Sequence, residues 1–247
     1  MVVTQLSQFK VFNLQTTLAG VVCVFLGLTA GVPYGTAEEQ TSASVDLSLL
    51  QGVIKDVYGA FPKTAEHEAA DHKFVEAALA DFPTRDTATR YALELAWQSY
   101  CDGDEQTALK RFNQAWLLTP NHPEPFHGFA VYMLEKGRID EAIALSKKAL
   151  ELDPRHARAM CTLARAYAAQ GRDDASMVFQ QASQATELDS DLIYIYYHWA
   201  RWLAKRGDMA GSADKFALYR SHGGRELAGE WLVRALARLR KPAAHVQ

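Results

Sequence analysis

Four landmarks recur at one spacing. Gly103, Ala108, Ala115 and Pro120 are answered by Gly137, Ala142, Ala149 and Pro154, each 34 residues later. A fixed period of this length is the mark of one supersecondary unit stacked on copies of itself. Between the landmarks runs an amphipathic stretch, a glycine that permits a left-handed turn, a second amphipathic stretch, and a proline that cannot continue a helix. Each unit is therefore expected to be two antiparallel helices. With 49% hydrophobic and 22% charged residues among 247, the chain has enough apolar side chain to bury a core along such a stack.

These residues resemble the tetratricopeptide repeat. That family places small residues where its paired helices approach closely, and the matching positions here are Ala96, Ala108 and Ala115, then Ala130, Ala142 and Ala149. The second copy, residues 123–156, is the fuller match, with Phe126, Phe129, Ala130, Met133, Gly137, Ala142, Ala149 and Pro154. The resemblance implies an all-α, right-handed solenoid of antiparallel helix pairs, with four copies over residues 89–224. In the third copy Leu188-Asp189-Ser190 falls 36 residues after Leu152-Asp153-Pro154. Two residues are inserted between Gly171 and Ala185, which predicts a longer turn or a shifted second helix there.

The flanks read differently. Residues 1–37 have the parts of a secretory signal: Lys10, an apolar run over residues 18–32, and Gly35-Thr36-Ala37 ahead of Glu38-Glu39. The run is 15 residues long, whereas a spanning helix wants about 20, which favours cleavage after Ala37 over retention of residues 18–32 as an inner-membrane anchor. Residues 38–46 are small and polar, a tether. Residues 47–88 are expected to form a helical cap: Leu47, Leu50, Val53, Ile54 and Val57 recur at helical spacing, and a second helix over residues 64–81 carries Phe74, Ala77, Ala78 and Phe82 on one side. Residues 225–247 supply a closing helix and tail, with Leu227, Trp231, Leu232, Ala235, Leu236 and Leu239 as its apolar side. Terminal units of a stack must present one face to water, which is why they depart from the repeat.

The net charge of −3 leaves no nucleic-acid footprint, which would be a basic patch on a basic domain. Cys101 and Cys161 lie two repeat steps apart, beyond the reach of about 7 Å between Cα atoms that a disulfide requires, so both are expected as thiols. The run His67-Glu68-Ala69-Ala70-Asp71-His72 departs from the zinc-protease helix motif, because the second histidine belongs where Asp71 stands. A His67/Asp71 surface metal site lacks a third ligand, and a solvated polar face is the reading adopted. No phosphate-cradling glycine loop, nucleophile elbow or metal-spaced Cys/His cluster appears, so neither catalytic residues, a cofactor nor a metal is expected.

The resemblance also implies a concave groove lined by the first helix of each repeat. Carried over residue by residue, it gives Trp97 and Tyr100 from the first copy, His127 from the second, Arg158 and Arg165 from the third, and Tyr194, Tyr197, His198, Arg201 and Lys205 from the fourth. The far half is basic and aromatic, with no acidic residue at its own groove positions. Guanidinium groups bind carboxylates bidentately and tyrosines offer contact area at low entropic cost, which suits an extended acidic or carboxylate-ended protein segment. The function implied is a non-enzymatic protein-interaction scaffold of the cell envelope, touching membrane only through an uncleaved leader. The alternative is an accessory subunit, or hydrolase- or transferase-associated protein, of an envelope assembly with a site around residues 67–72.

Overall fold

A computed structural model describes residues 48–225. The leader, the tether, Leu47 and the closing segment from residue 226 onward lie outside the described residues. Within the described residues ten helices follow in order: α1 (Gln51–Tyr58), α2 (Ala65–Asp81), α3 (Arg85–Cys101), α4 (Glu105–Leu118), α5 (Pro123–Glu135), α6 (Ile139–Leu152), α7 (Ala157–Ala169), α8 (Ala175–Gln184), α9 (Asp189–Lys205) and α10 (Met209–Ser221). Among the described residues there is no strand, and no helix is long and apolar enough to cross a membrane.

Four helix pairs stack: α3/α4, α5/α6, α7/α8 and α9/α10. Each pair turns at a glycine in the left-handed region, Gly103 (φ 81°), Gly137 (φ 73°), Gly171 (φ 74°) and Gly207 (φ 84°), a conformation a Cβ would strain. The same backbone bond closes each turn. Asp104 N–H donates to Ser99 O, Arg138 to Met133, Arg172 to Tyr167 and Asp208 to Leu203, all at 2.9–3.0 Å. This is the bond that satisfies the orphan carbonyls of a helix end. The recurring glycine is thus a recurring backbone requirement.

The small residues do what the pattern demands. Ala96, Ala115, Ala130, Ala142, Ala149, Ala164 and Ala200 have no exposed surface, and large side chains such as Phe112, Phe126, Phe129 and Leu145 fill the space around them. One core joins α1, α3, α4, α5 and α6 with Ala159 and Ala166 of α7, with α2 packed partly buried against it, and a second joins α7, α8 and α9; Ile143 and Leu150 of α6 touch both. The insertion shows as a longer turn and a shortened α8: residues 170–174 separate α7 from α8 where residues 102–104 and 136–138 suffice in the first two pairs, and α8 keeps 10 residues where α4 and α6 have 14. Helix α3 begins at Arg85, four residues ahead of position 89 where the repeat pattern starts, with Thr84 and Thr87 forming a capping box.

Consecutive first helices pack on one another, α3 on α5, α5 on α7 and α7 on α9, while each second helix packs on the next first helix. The first helices therefore form the inner layer of the curve. Close approach is enforced at Gly128 of α5, where a Cβ would lie 2.4 Å from the Phe112 ring, itself fully buried. In an open helix Gly→Ala gains about 1 kcal/mol. Here overpacking outweighs that gain, so Gly128→Ala is expected to lower stability by about 2 kcal/mol, read as a lower thermal midpoint. A midpoint at or above the parent's would show that the ring gives way.

Candidate functional site

The inner layer carries the residues the repeat pattern nominates, and the structure sorts them into three groups. The first is built on α5. Glu124, in its first turn, accepts from Trp97 Nε1 of α3 (2.8 Å) and from His156 Nε2 (2.6 Å), and His127 Nδ1 faces the same carboxylate at 3.4 Å. His127 has 1% of its surface exposed, so it does not line an open groove. Its other nitrogen, Nε2, meets the Thr162 hydroxyl of α7 at 3.3 Å. His156 lies 34 residues after His122, and both serve as helix N-caps: His122 Nδ1 accepts from Glu124 N–H and His156 Nδ1 from Ala159 N–H. Burial alone would raise the Glu124 carboxyl, but the imidazoles of His156 and His127 hold it well below the usual carboxylate range. Sequence reading missed this cluster because Glu124 and His156 are brought together across a repeat step, 32 residues apart. The signal available was the recurrence of histidine at 122 and 156.

The second group is the basic half, where the expectation of open cations is corrected. Arg158 donates to Asp191 (2.5 Å), and Arg165 donates to Glu135 (2.6 Å) and to the Tyr194 hydroxyl (2.6 Å). Neither acid occupies a groove position of the last two repeats. Glu135 arrives from the end of α5 and Asp191 from the first turn of α9. The Arg165 side chain is only 15% exposed, so it is a partly buried ion pair and not a solvated cation. Tyr100 packs edge-on against Trp97, and its phenol is pushed up first by burial.

The third group sits on α9. His198 lies between the Tyr194 ring (4.6 Å) and the Tyr197 ring (5.1 Å). Arg201 lies over Tyr197, one turn earlier, at 5.4 Å. Lys205 follows one turn later and is exposed. Among the described residues neither Arg201 nor Lys205 lies within 4.0 Å of a carboxylate oxygen.

Three of these histidines share a pH consequence. His198, His127 and His122 are held below the ordinary imidazole value, each first by burial, and His198 is pushed further by Arg165 and Arg201. The unfolded chain takes up a proton near pH 6.5 while these folded imidazoles stay neutral, so their contribution to stability falls as pH drops through about 6.5. His156 has the opposite sign: burial pulls it down, but Glu124 prevails and raises it, so its contribution fades as pH rises through its folded value. With three groups against one, the thermal midpoint is expected to fall between about pH 7 and pH 5.5, and His198→Phe to shrink that fall. A midpoint flat across this range, or a variant with the parent's slope, would count against the assignment.

In the amino-terminal region Glu68, Asp71 and His72 line one open cavity with Lys63 and Trp116. Asp71 accepts from Tyr58 Oη and Lys63 Nζ, both at 2.7 Å, while His67 Nδ1 accepts from Thr64 N–H in the cap of α2. His67 and Asp71 thus each have other partners, and His72 pairs with Glu76 in an exposed contact. Neither Cys101 nor Cys161 is in a disulfide: Cys101 is exposed, and Cys161 is buried in the second core, its thiol pushed up to about 12 by burial.

The family model of the tetratricopeptide repeat matches residues 133–192, which span α6, α7 and α8. Solved structures are similar to this chain at low identity. A thermophilic repeat protein of Thermus thermophilus is 18% identical, covering 60% of this chain and 99% of that one, with a TM-score of 0.42. MamA is 14% identical over 66% and 96%, with a TM-score of 0.42, and the pilF protein of Pseudomonas aeruginosa 16% identical over 69% and 86%, with a TM-score of 0.43. The glycine-turned helix pairs extend the arrangement of the matched segment on both sides, so the described residues repeat the unit that the family model matches over residues 133–192.

Proposed function

We propose that this chain is a non-catalytic protein-interaction scaffold of the cell envelope that receives an extended acidic or carboxylate-ended partner segment along α9. The supporting observation is a contrast within one layer. Arg158 and Arg165 already have carboxylate partners, whereas Arg201, over the Tyr197 ring, and Lys205, one turn further on, have none among the described residues. A guanidinium and an ammonium so placed can take a carboxylate without breaking an existing pair. The inner layer of a helical solenoid is also where an extended chain meets several repeats at once.

Titration with acidic peptides, carrying either a free or an amidated carboxyl terminus, tests this reading. Salt-sensitive binding should weaken about tenfold in Arg201→Glu and Lys205→Glu, while melting changes little because both changes leave the core untouched. Equal binding by parent and variants would sink it. The alternative of a reactive site around residues 67–72 has less support, since Asp71, His67 and His72 are each tied to different neighbours.

The export part of the proposal rests on the apolar run over residues 18–32 followed by Gly35-Thr36-Ala37. Amino-terminal sequencing of the mature protein is expected to begin at Glu38. Met1 retained on a membrane-bound species would make the run an anchor.

A further inference from the structure

Glu124, His127 and His156 offer three ligand atoms that all lie within 4.8 Å of one another. Two imidazole nitrogens and a carboxylate oxygen suit a borderline divalent ion, and zinc above all. We propose that these three residues bind a zinc-class divalent cation between the first helices of the second and third repeats. This assignment is independent of the peptide-binding reading and would stand if that reading failed.

Groups around the ligands are placed to orient them. His127 can present its Nδ1 lone pair only if Nε2 carries the proton, and Nε2 faces Thr162 Oγ1 at 3.3 Å. A hydroxyl accepts as readily as it donates, so that tautomer is accommodated. Trp97 Nε1–H holds Glu124 Oε1 at 2.8 Å, which leaves Oε2 as the ligand atom. The neighbouring Arg158 would oppose a cation, but its charge is matched by Asp191 at 2.5 Å.

His156 is the ligand that must part from a hydrogen-bond partner. Its Nε2 lies 2.6 Å from Glu124 Oε2, whereas a tetrahedral ion with bonds of about 2.0 Å keeps its ligands about 3.3 Å apart. The imidazole therefore has to withdraw from that oxygen by less than about 1 Å, while ligand atoms that now stand up to 4.8 Å apart have to close toward the same spacing. Its Nδ1 now accepts from Ala159 N–H at 3.3 Å. Giving Nε2 to a metal moves the proton to Nδ1 and breaks that bond, so metal binding and capping of α7 are coupled. Three protein ligands leave a fourth position for water or a carboxylate, on the side where Glu124 is not fully covered.

The test titrates the full chain with Co²⁺, whose visible d–d bands report a four-coordinate nitrogen and oxygen site, then adds Zn²⁺ as competitor. One equivalent of Co²⁺ should bind, be displaced by Zn²⁺, and show no sulfur-to-cobalt band, while Zn²⁺ alone should raise the melting temperature by several degrees. His156→Asn keeps an acceptor for Ala159 N–H, and Glu124→Gln keeps one for Trp97. Both should fold with the parent's helix content, bind about tenfold or more weakly, and lose the zinc-dependent rise. A parent chain that takes up no stoichiometric Co²⁺ overturns the proposal, as does undiminished binding in both variants. The parent titration decides the matter even if a variant fails to fold.

Discussion

Ala164→Glu is expected to unfold the third repeat and to cost at least about 4 kcal/mol. Ala164 has no exposed surface and sits in the second core with Phe179, Ala182 and Trp199. A carboxylate there finds no donor, and the space left by one methyl group cannot hold a longer side chain without parting the helices. Because α7 contributes only Ala159 and Ala166 to the buried residues of the first core, loss should be partial. Circular-dichroism melting is expected to show two steps in the variant, the earlier one carrying the α7 to α10 signal. A single transition at the parent's midpoint would show that Ala164 is not a packing position, and Ala164→Ser should stay within about 1 to 2 kcal/mol of the parent.

Arg165→Glu is the second large effect, and it acts on stability before it acts on any ligand. The change puts a carboxylate opposite Glu135 and removes the donor to Tyr194 Oη. Breaking a buried pair costs about 3 to 5 kcal/mol, and the partly open position of Glu135 reduces this to about 2 to 3 kcal/mol. Arg165→Met, which keeps the volume and removes the charge, should lie closer to the parent, though Glu135 then loses its partner. Chemical denaturation of both variants separates the cases. If Arg165→Glu melts with the parent, the guanidinium is solvated and the ion pair contributes nothing.

The Arg165 case shows where sequence reading stopped. A groove position counted along α7 is correct as a position on the helix, yet whether its charge is open depends on residues about 30 positions away, Glu135 on one side and Tyr194 on the other. Charge complementarity across a repeat step has no signature in local spacing. The same holds for His127, whose pattern position suggests a groove lining but whose ring is closed in by Trp97, His156 and Thr162.

The architecture, by contrast, was legible in the residues alone. Gly103, Gly137 and Gly171 must turn left-handed, Ala96, Ala130 and Ala164 must let helices touch, and both demands are local, so a 34-residue period records them directly. Which inner-layer side chains face one another was set by the stacked fold: Arg158 and Arg165 are already paired while Arg201 and Lys205 have no carboxylate partner among the described residues, and Glu124, His127 and His156 converge. The physical reason is that electrostatic and ligand geometry falls off over a few ångströms. Stacking one helix pair on the next sets those distances, and the spacing of residues along a single helix does not.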